Sequence, residues 1–285
     1  MQTEHFQRCL AQLKRFDHDR YLAILVTPPE RREALCALFA LDAELARIPD
    51  TVSEPLLGEI RFQWWRETLE AMTPMGNGGG HEIALALGAS LFETPVAPAG
   101  LLPLVDAHAA LLTGEPHATL TDAAREQSAP LQTAISLGRS ILGGERAEEQ
   151  AANRQIESLV KAYGLVRLIR RLPHDASLQR LTIPLDLMGS YELDPHDIFA
   201  GVFRPGLALA LGEILDRAAA YWDEGRGLDV AGDRALLSLL LPMRLTPLYL
   251  RRLREPAFDP FRQSSEIPAF RRQVRYLTSI WRKRF

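Results

Sequence analysis

Three features of the sequence predict an all-α fold. Apolar residues recur at helical spacing in segment after segment, and no run keeps the strict alternation of a half-buried strand. Proline and glycine punctuate those segments as short turns. Nothing repeats at a solenoid period, so the helices are expected to share one core within a single domain spanning residues 1–285.

The elements follow in order. Thr3–Phe16 reads as a helix with Phe6, Leu10 and Leu13 on one face. Asp17–Thr27 leads into Pro28-Pro29, and a proline disfavours the α conformation in the residue before it. A helix then begins with Pro29 in its first turn and Glu30 at the favourable end of the dipole. Leu35, Leu38, Phe39, Leu41 and Leu45 carry it over Glu33–Ile48, and Pro49 is expected to interrupt it for want of an N–H. Ser53-Glu54-Pro55 opens the next helix, which carries Leu56, Ile60, Trp64 and Leu69.

Thr73–Gly80 is a glycine-rich loop, followed by a helix over His81–Leu91. Pro95 and Pro98 mark a turn before Leu101–Leu112. A long helix runs from Thr121 to Leu142, capped by Thr121 or Asp122 and ended by Gly143-Gly144. The next, Glu148–Leu172, is expected to stop at Pro173, and Leu181–Met188 reads as extended. Asp194-Pro195 caps a short helix, and Pro205–Gly225, Arg234–Leu253 and Pro268–Arg284 complete about nine to eleven helices.

Composition narrows the class. The chain is 47% hydrophobic and 24% charged, which is ordinary for a globular protein with a sizeable core. Its 33 Lys and Arg against 36 Asp and Glu leave a formal charge of -3, so no global field for nucleic acid follows and no nucleic-acid partner is expected. Cys9 and Cys36 sit in apolar helical patterns without metal-ligand spacing and read as reduced thiols of a cytoplasmic protein. The first twenty residues are too charged for a signal peptide, and Ala235–Met243, the longest apolar run, falls far short of the ~20 residues of a membrane span. The seven histidines include no zinc-protease pair, and no Walker A, G-x-S-x-G or G-x-G-x-x-G motif occurs.

Candidate chemistry lies first in an acidic cluster. Asp42 and Glu44 diverge by roughly 200° on a helix and cannot share an ion. Asp50 and Glu54 have the four-residue spacing that could hold Mg²⁺ bridged to a diphosphate, although Pro49 and Pro55 argue against one helix through both. The same residues fit solvated turn and cap positions. Arg167, Arg170 and Arg171 form a basic set suited to an oxyanion, and equally to a surface face paired with acidic neighbours. The closing AFRRQVRYLTSIWRKRF carries Phe270, Val274, Leu277 and Ile280 as a stripe. It suits peripheral contact with an anionic membrane, or a docked helix with a basic outer side.

Taken together, Tyr21-Leu22-Ala23, Pro28-Pro29-Glu30-Arg31-Arg32, Ala37-Leu38-Phe39-Ala40 and Gln63-Trp64-Trp65-Arg66-Glu67 resemble the squalene/phytoene synthase superfamily. Tyr163-Gly164-Leu165 and the later Pro247 and Tyr249 fit the same plan. The resemblance implies the isoprenoid (terpenoid) synthase fold, with a central cavity between helices and Mg²⁺ held by two aspartate-rich motifs. Tyr21 and Gln63 join Arg167, Arg170 and Arg171 as candidate ligand contacts under it.

The metal motifs depart from that pattern. The two aspartates of the first motif fall at Ala46 and Asp50, and its upstream arginine at Ala43. The second motif's helix reads GLVRLIRRLPHD, with arginines where acids belong and only Asp175 nearby. AELARIPDTVSE, the Q-W-W-R helix and SIWRKRF are similar to the branch containing the mitochondrial complex I assembly factor. That likeness implies a pseudoenzyme that assists a respiratory-complex partner or holds a prenyl or isoprenoid-like lipid. The alternative it leaves is an active prenyltransferase with Mg²⁺ at Asp50 and Glu54.

Overall fold

The computed structural model describes residues 4–73, 79–143, 150–230 and 234–282. Its α-helices are α1 (Glu4–Phe16), α2 (His18–Val26), α3 (Arg32–Thr51), α4 (Pro55–Glu70), α5 (Glu82–Ser90), α6 (Leu102–Ala109) and α7 (Leu120–Ile141). They continue as α8 (Gln150–Ser177), α9 (Leu185–Ser190), α10 (Pro195–Phe199), α11 (Pro205–Gly225), α12 (Arg234–Leu240), α13 (Thr246–Leu253) and α14 (Ala269–Arg282). No strand forms among the described residues, and none of their helices is long and apolar enough to cross a membrane. The all-α expectation holds.

The chain divides into two compact units. The first comprises Met1–Thr113, Pro130–Glu148 and Val230–Pro242. Its centre is α3, which packs against α1, α2, α4, α5 and α6. This helix is apolar nearly all round, the pattern of an element enclosed by others rather than laid on a surface. Leu35, Cys36, Leu38, Leu41 and Leu45 are wholly buried, and Asp42 is the single charged side chain among its buried residues. The entry to α2 is set by Asp17, whose carboxylate accepts from the Arg20 N–H at 3.1 Å.

The second unit comprises Gly114–Ala129, Glu149–Asp229 and Met243–Phe285, and is built on α8 packed along α11. Gly225 allows the close approach, because a Cβ there would stand 2.6 Å from Leu159 Cγ and 2.7 Å from the Gln155 carbonyl oxygen. Asp194 accepts from the His196 N–H at 2.8 Å and caps α10 as its sequence implies. At α7 the cap is Thr119 rather than Thr121 or Asp122: its hydroxyl accepts from the Asp122 N–H at 3.1 Å.

Proline position accounts for most other differences. Pro49 does not end α3, which continues to Thr51, where the hydroxyl donates to the Arg47 and Ile48 carbonyls at 3.2 and 3.1 Å. Pro173 likewise lies inside α8, which runs on to Ser177. A proline in a helix interior costs ~3 kcal/mol. Burial of Leu172 and Ala176 on either side of Pro173 opposes that cost. The segment Leu181–Met188, expected as extended, becomes helical from Leu185, where α9 begins. Pro242 and Pro247 divide the segment expected as one helix over Arg234–Leu253 into α12, a 3-10 turn at Leu241–Leu245, and α13. Residues 74–78 of the expected Thr73–Gly80 loop lie outside the described residues. So do Thr3, Gly144, Glu148 and Arg284.

Candidate functional site

The acidic cluster resolves into residues with different environments. Asp42 faces inward from α3 and forms a buried triad with Arg20 of α2 and His108 of α6. One carboxylate oxygen pairs with the Arg20 guanidinium, and the other lies 2.7 Å from His108 Nε2. The carboxylate can only accept, so Nε2 carries the proton. Burial on its own raises the carboxyl pKa. The Arg20 charge and then His108 outweigh it and hold Asp42 well below the usual carboxylate range. Arg20 also stacks over Phe39, 5.0 Å from the ring centroid.

The remaining acids lie apart from this triad. Glu44 is half-buried, 3.7 Å from Arg47 and 3.3 Å from the Gln12 amide that donates to it. Asp50 occupies the last turn of α3, half-buried, one turn beyond Ala46. Glu54 is exposed with an extended backbone ahead of α4. Asp50 and Glu54 therefore belong to different elements, and the four-residue spacing does not make a helical pair of them. These two carboxylates do not fit an Mg²⁺ clamp of the kind a continuous helix presents.

Two of the three arginines of the basic set on α8 are engaged within their own unit. The Arg170 guanidinium sits 3.9 Å over the Tyr249 ring and donates to Glu266 at 2.7 Å. Desolvation would lower its pKa, but Tyr249, Tyr163 and Glu266 raise it. Arg171 donates to Asp175 at 3.1 Å, and Arg167 is half-buried one turn earlier. An apolar recess of about 260 Å³ in the same unit is lined by residues including Ile169, Leu211, Leu215, Leu253 and Phe258.

Tyr21 is half-buried and stacks on His18 at 5.5 Å between ring centroids. Gln63 is exposed on α4, where its amide donates to Glu67 at 2.9 Å. Of the paired tryptophans beside it, Trp65 is buried and Trp64 is partly exposed, and both rings meet His81. In the first unit, the residues that sequence reasoning missed are Arg20 and His108. The available signal was Asp42 itself: a carboxylate in so apolar a helix needs a buried counter-charge. Its partners lie 22 and 66 positions away and no local pattern points to them.

The closing helix also differs from expectation. Its exposed stripe is Phe270, Val274, Leu277 and Trp281, whereas Ile280 is half-buried and Tyr276 and Ser279 are buried.

Comparison with known proteins places this arrangement. The squalene/phytoene synthase family model matches residues 13–277. A Bos taurus protein named NADH dehydrogenase (ubiquinone) complex I, assembly factor 6 is 22% identical over 277 residues, covering 97% of this chain and 82% of that protein. A dehydrosqualene synthase solved in complex with ligand superposes with a TM-score of 0.72 at 14% identity, over 98% of this chain and 96% of that one. Squalene synthase HpnC from Alicyclobacillus acidocaldarius gives a TM-score of 0.71 at 17% identity, over 88% and 93%. At these identities the two structures establish the all-α synthase fold. Because the family model spans nearly its whole length, the chain belongs to the squalene/phytoene synthase family.

Proposed function

We propose that this chain keeps the synthase fold without its metal-diphosphate chemistry and serves in assembling or maintaining a respiratory complex. The carrying observation is that one carboxylate of the first motif is absent and that the second motif's helix carries internally paired arginines where acids belong. Ala46 replaces one motif carboxylate, and Arg170 and Arg171 pair with Glu266 and Asp175. Guanidinium groups cannot ligate Mg²⁺ and would repel it. The assembly-factor name of relatives matched over nearly the full chain supports the reading.

The test is complementation in the source cell. Deleting the gene is expected to reduce assembled complex I on native gels, and both the wild-type chain and an Asp50→Ala variant are expected to restore it. Restoration by wild type but not by Asp50→Ala would count against a pseudoenzyme.

A second reading has support from the apolar recess and from the ligand-bound synthase neighbour. In it the protein holds an isoprenoid-like lipid as carrier or sensor. Native mass spectrometry of the purified chain should then show a co-purifying lipid adduct, and a spectrum of bare protein alone contradicts it. The competing enzyme reading, a prenyltransferase with Mg²⁺ displaced to Asp50 and Glu54, requires that Asp50→Ala abolish diphosphate binding.

A further inference from the structure

Helix α14 turns its apolar stripe outward. Phe270, Val274, Leu277 and Trp281 recur at i, i+4, i+7 and i+11, and are 75%, 41%, 66% and 81% exposed. The opposite side seats the helix in its own unit. Tyr276 and Ser279 are buried, the Ser279 hydroxyl accepts from Arg244 Nε at 2.8 Å, and Arg275 Nε donates to the Arg244 carbonyl at 3.2 Å. These inner contacts set the rotation of the helix, so the outward stripe is a consequence of how α14 docks.

Charge identifies the occupant. Residues 267–285 hold six basic side chains, Arg271, Arg272, Arg275, Arg282, Lys283 and Arg284, and no acidic one, within a chain of net charge -3. Arg271 is exposed and lies about 100° round the helix from Phe270. The stripe includes Phe270 and Trp281, residue types found on the apolar face of helices that lie in a membrane interface. The exposed stripe of α4 makes the contrast: Leu56, Ile60 and Trp64 run beside exposed Glu59 and Glu67, which an anionic surface repels.

We propose that α14 docks this protein onto an anionic lipid bilayer. Phe270, Val274, Leu277 and Trp281 enter the acyl boundary, while exposed Arg271 beside them meets lipid phosphates. This is independent of whether the chain retains catalysis.

The test uses the full chain and sedimented vesicles of equal parts phosphatidylglycerol and phosphatidylcholine, against phosphatidylcholine alone. Binding to the anionic vesicles is expected to be about tenfold or more tighter and to weaken with salt. Brominated acyl chains should quench emission from the wild type and not from Trp281→Phe. A Phe270→Glu/Leu277→Glu variant should lose vesicle binding while keeping the wild-type helix signal and melting temperature, because both side chains are exposed. Equal binding to both vesicle types, or unchanged binding by the double variant, overturns the proposal. So does a lipid-free dimer that the double variant converts to monomer, since a second copy would then cover the stripe.

Discussion

Asp42 is the residue whose surroundings decide how the acidic cluster behaves. With Arg20 and His108 both committed to it, its charge is balanced inside the protein rather than held out for a ligand. Removing one member of a buried ion pair strands the other, at a cost of about 3–5 kcal/mol. Asp42→Ala is therefore expected to lower unfolding free energy by about that much in urea titrations. A loss within a few tenths of a kcal/mol would mean the triad is not formed. The pH dependence has a definite sign. The folded-state pKa of Asp42 is depressed, so its contribution is fully present above the unfolded value of about 3.9. It is lost as pH falls from there through the folded value. Wild type should accordingly lose stability more steeply than Asp42→Asn on acidification below about pH 4.

At the scale of elements, helix contacts rest on small residues at particular places. Gly225→Ala sets a methyl group against Leu159 and the backbone oxygen of Gln155 where α11 meets α8. That overpacking should cost about 1–3 kcal/mol by chemical denaturation. Gly189 in α9 has nothing within 4 Å of an added Cβ, so Gly189→Ala should stabilise by about 0.5–1 kcal/mol through backbone entropy. If both substitutions behave alike, the tight crossing of α8 and α11 is not as described.

Element existence was legible because α1, α3, α8 and α11 carry long apolar stripes at helical period. Their ends were not, because a proline penalty is local while the burial opposing it at Pro173 comes from distant chain. The buried triad was half legible: Asp42 stood out as a charge in an apolar helix, but its partners are set by tertiary packing. The outward face of α14 was hidden for a related reason. Its stripe is visible in the sequence, yet its rotation depends on Arg244, 35 positions before Ser279.

At the scale of the whole molecule, a chain only 14% and 17% identical to solved synthases retains their all-α fold. Packing constraints of that kind tolerate wide substitution provided volume and patterning persist. A metal clamp does not, since one carboxylate replaced by alanine removes a ligand outright. Under the proposed function, this fold has outlived its diphosphate chemistry. The direct measurement is product formation by the purified chain with radiolabelled farnesyl or geranylgeranyl diphosphate and Mg²⁺. No squalene- or phytoene-type product is expected above a protein-free control, and sustained head-to-head condensation that disappears with Asp50→Ala would overturn the proposed function.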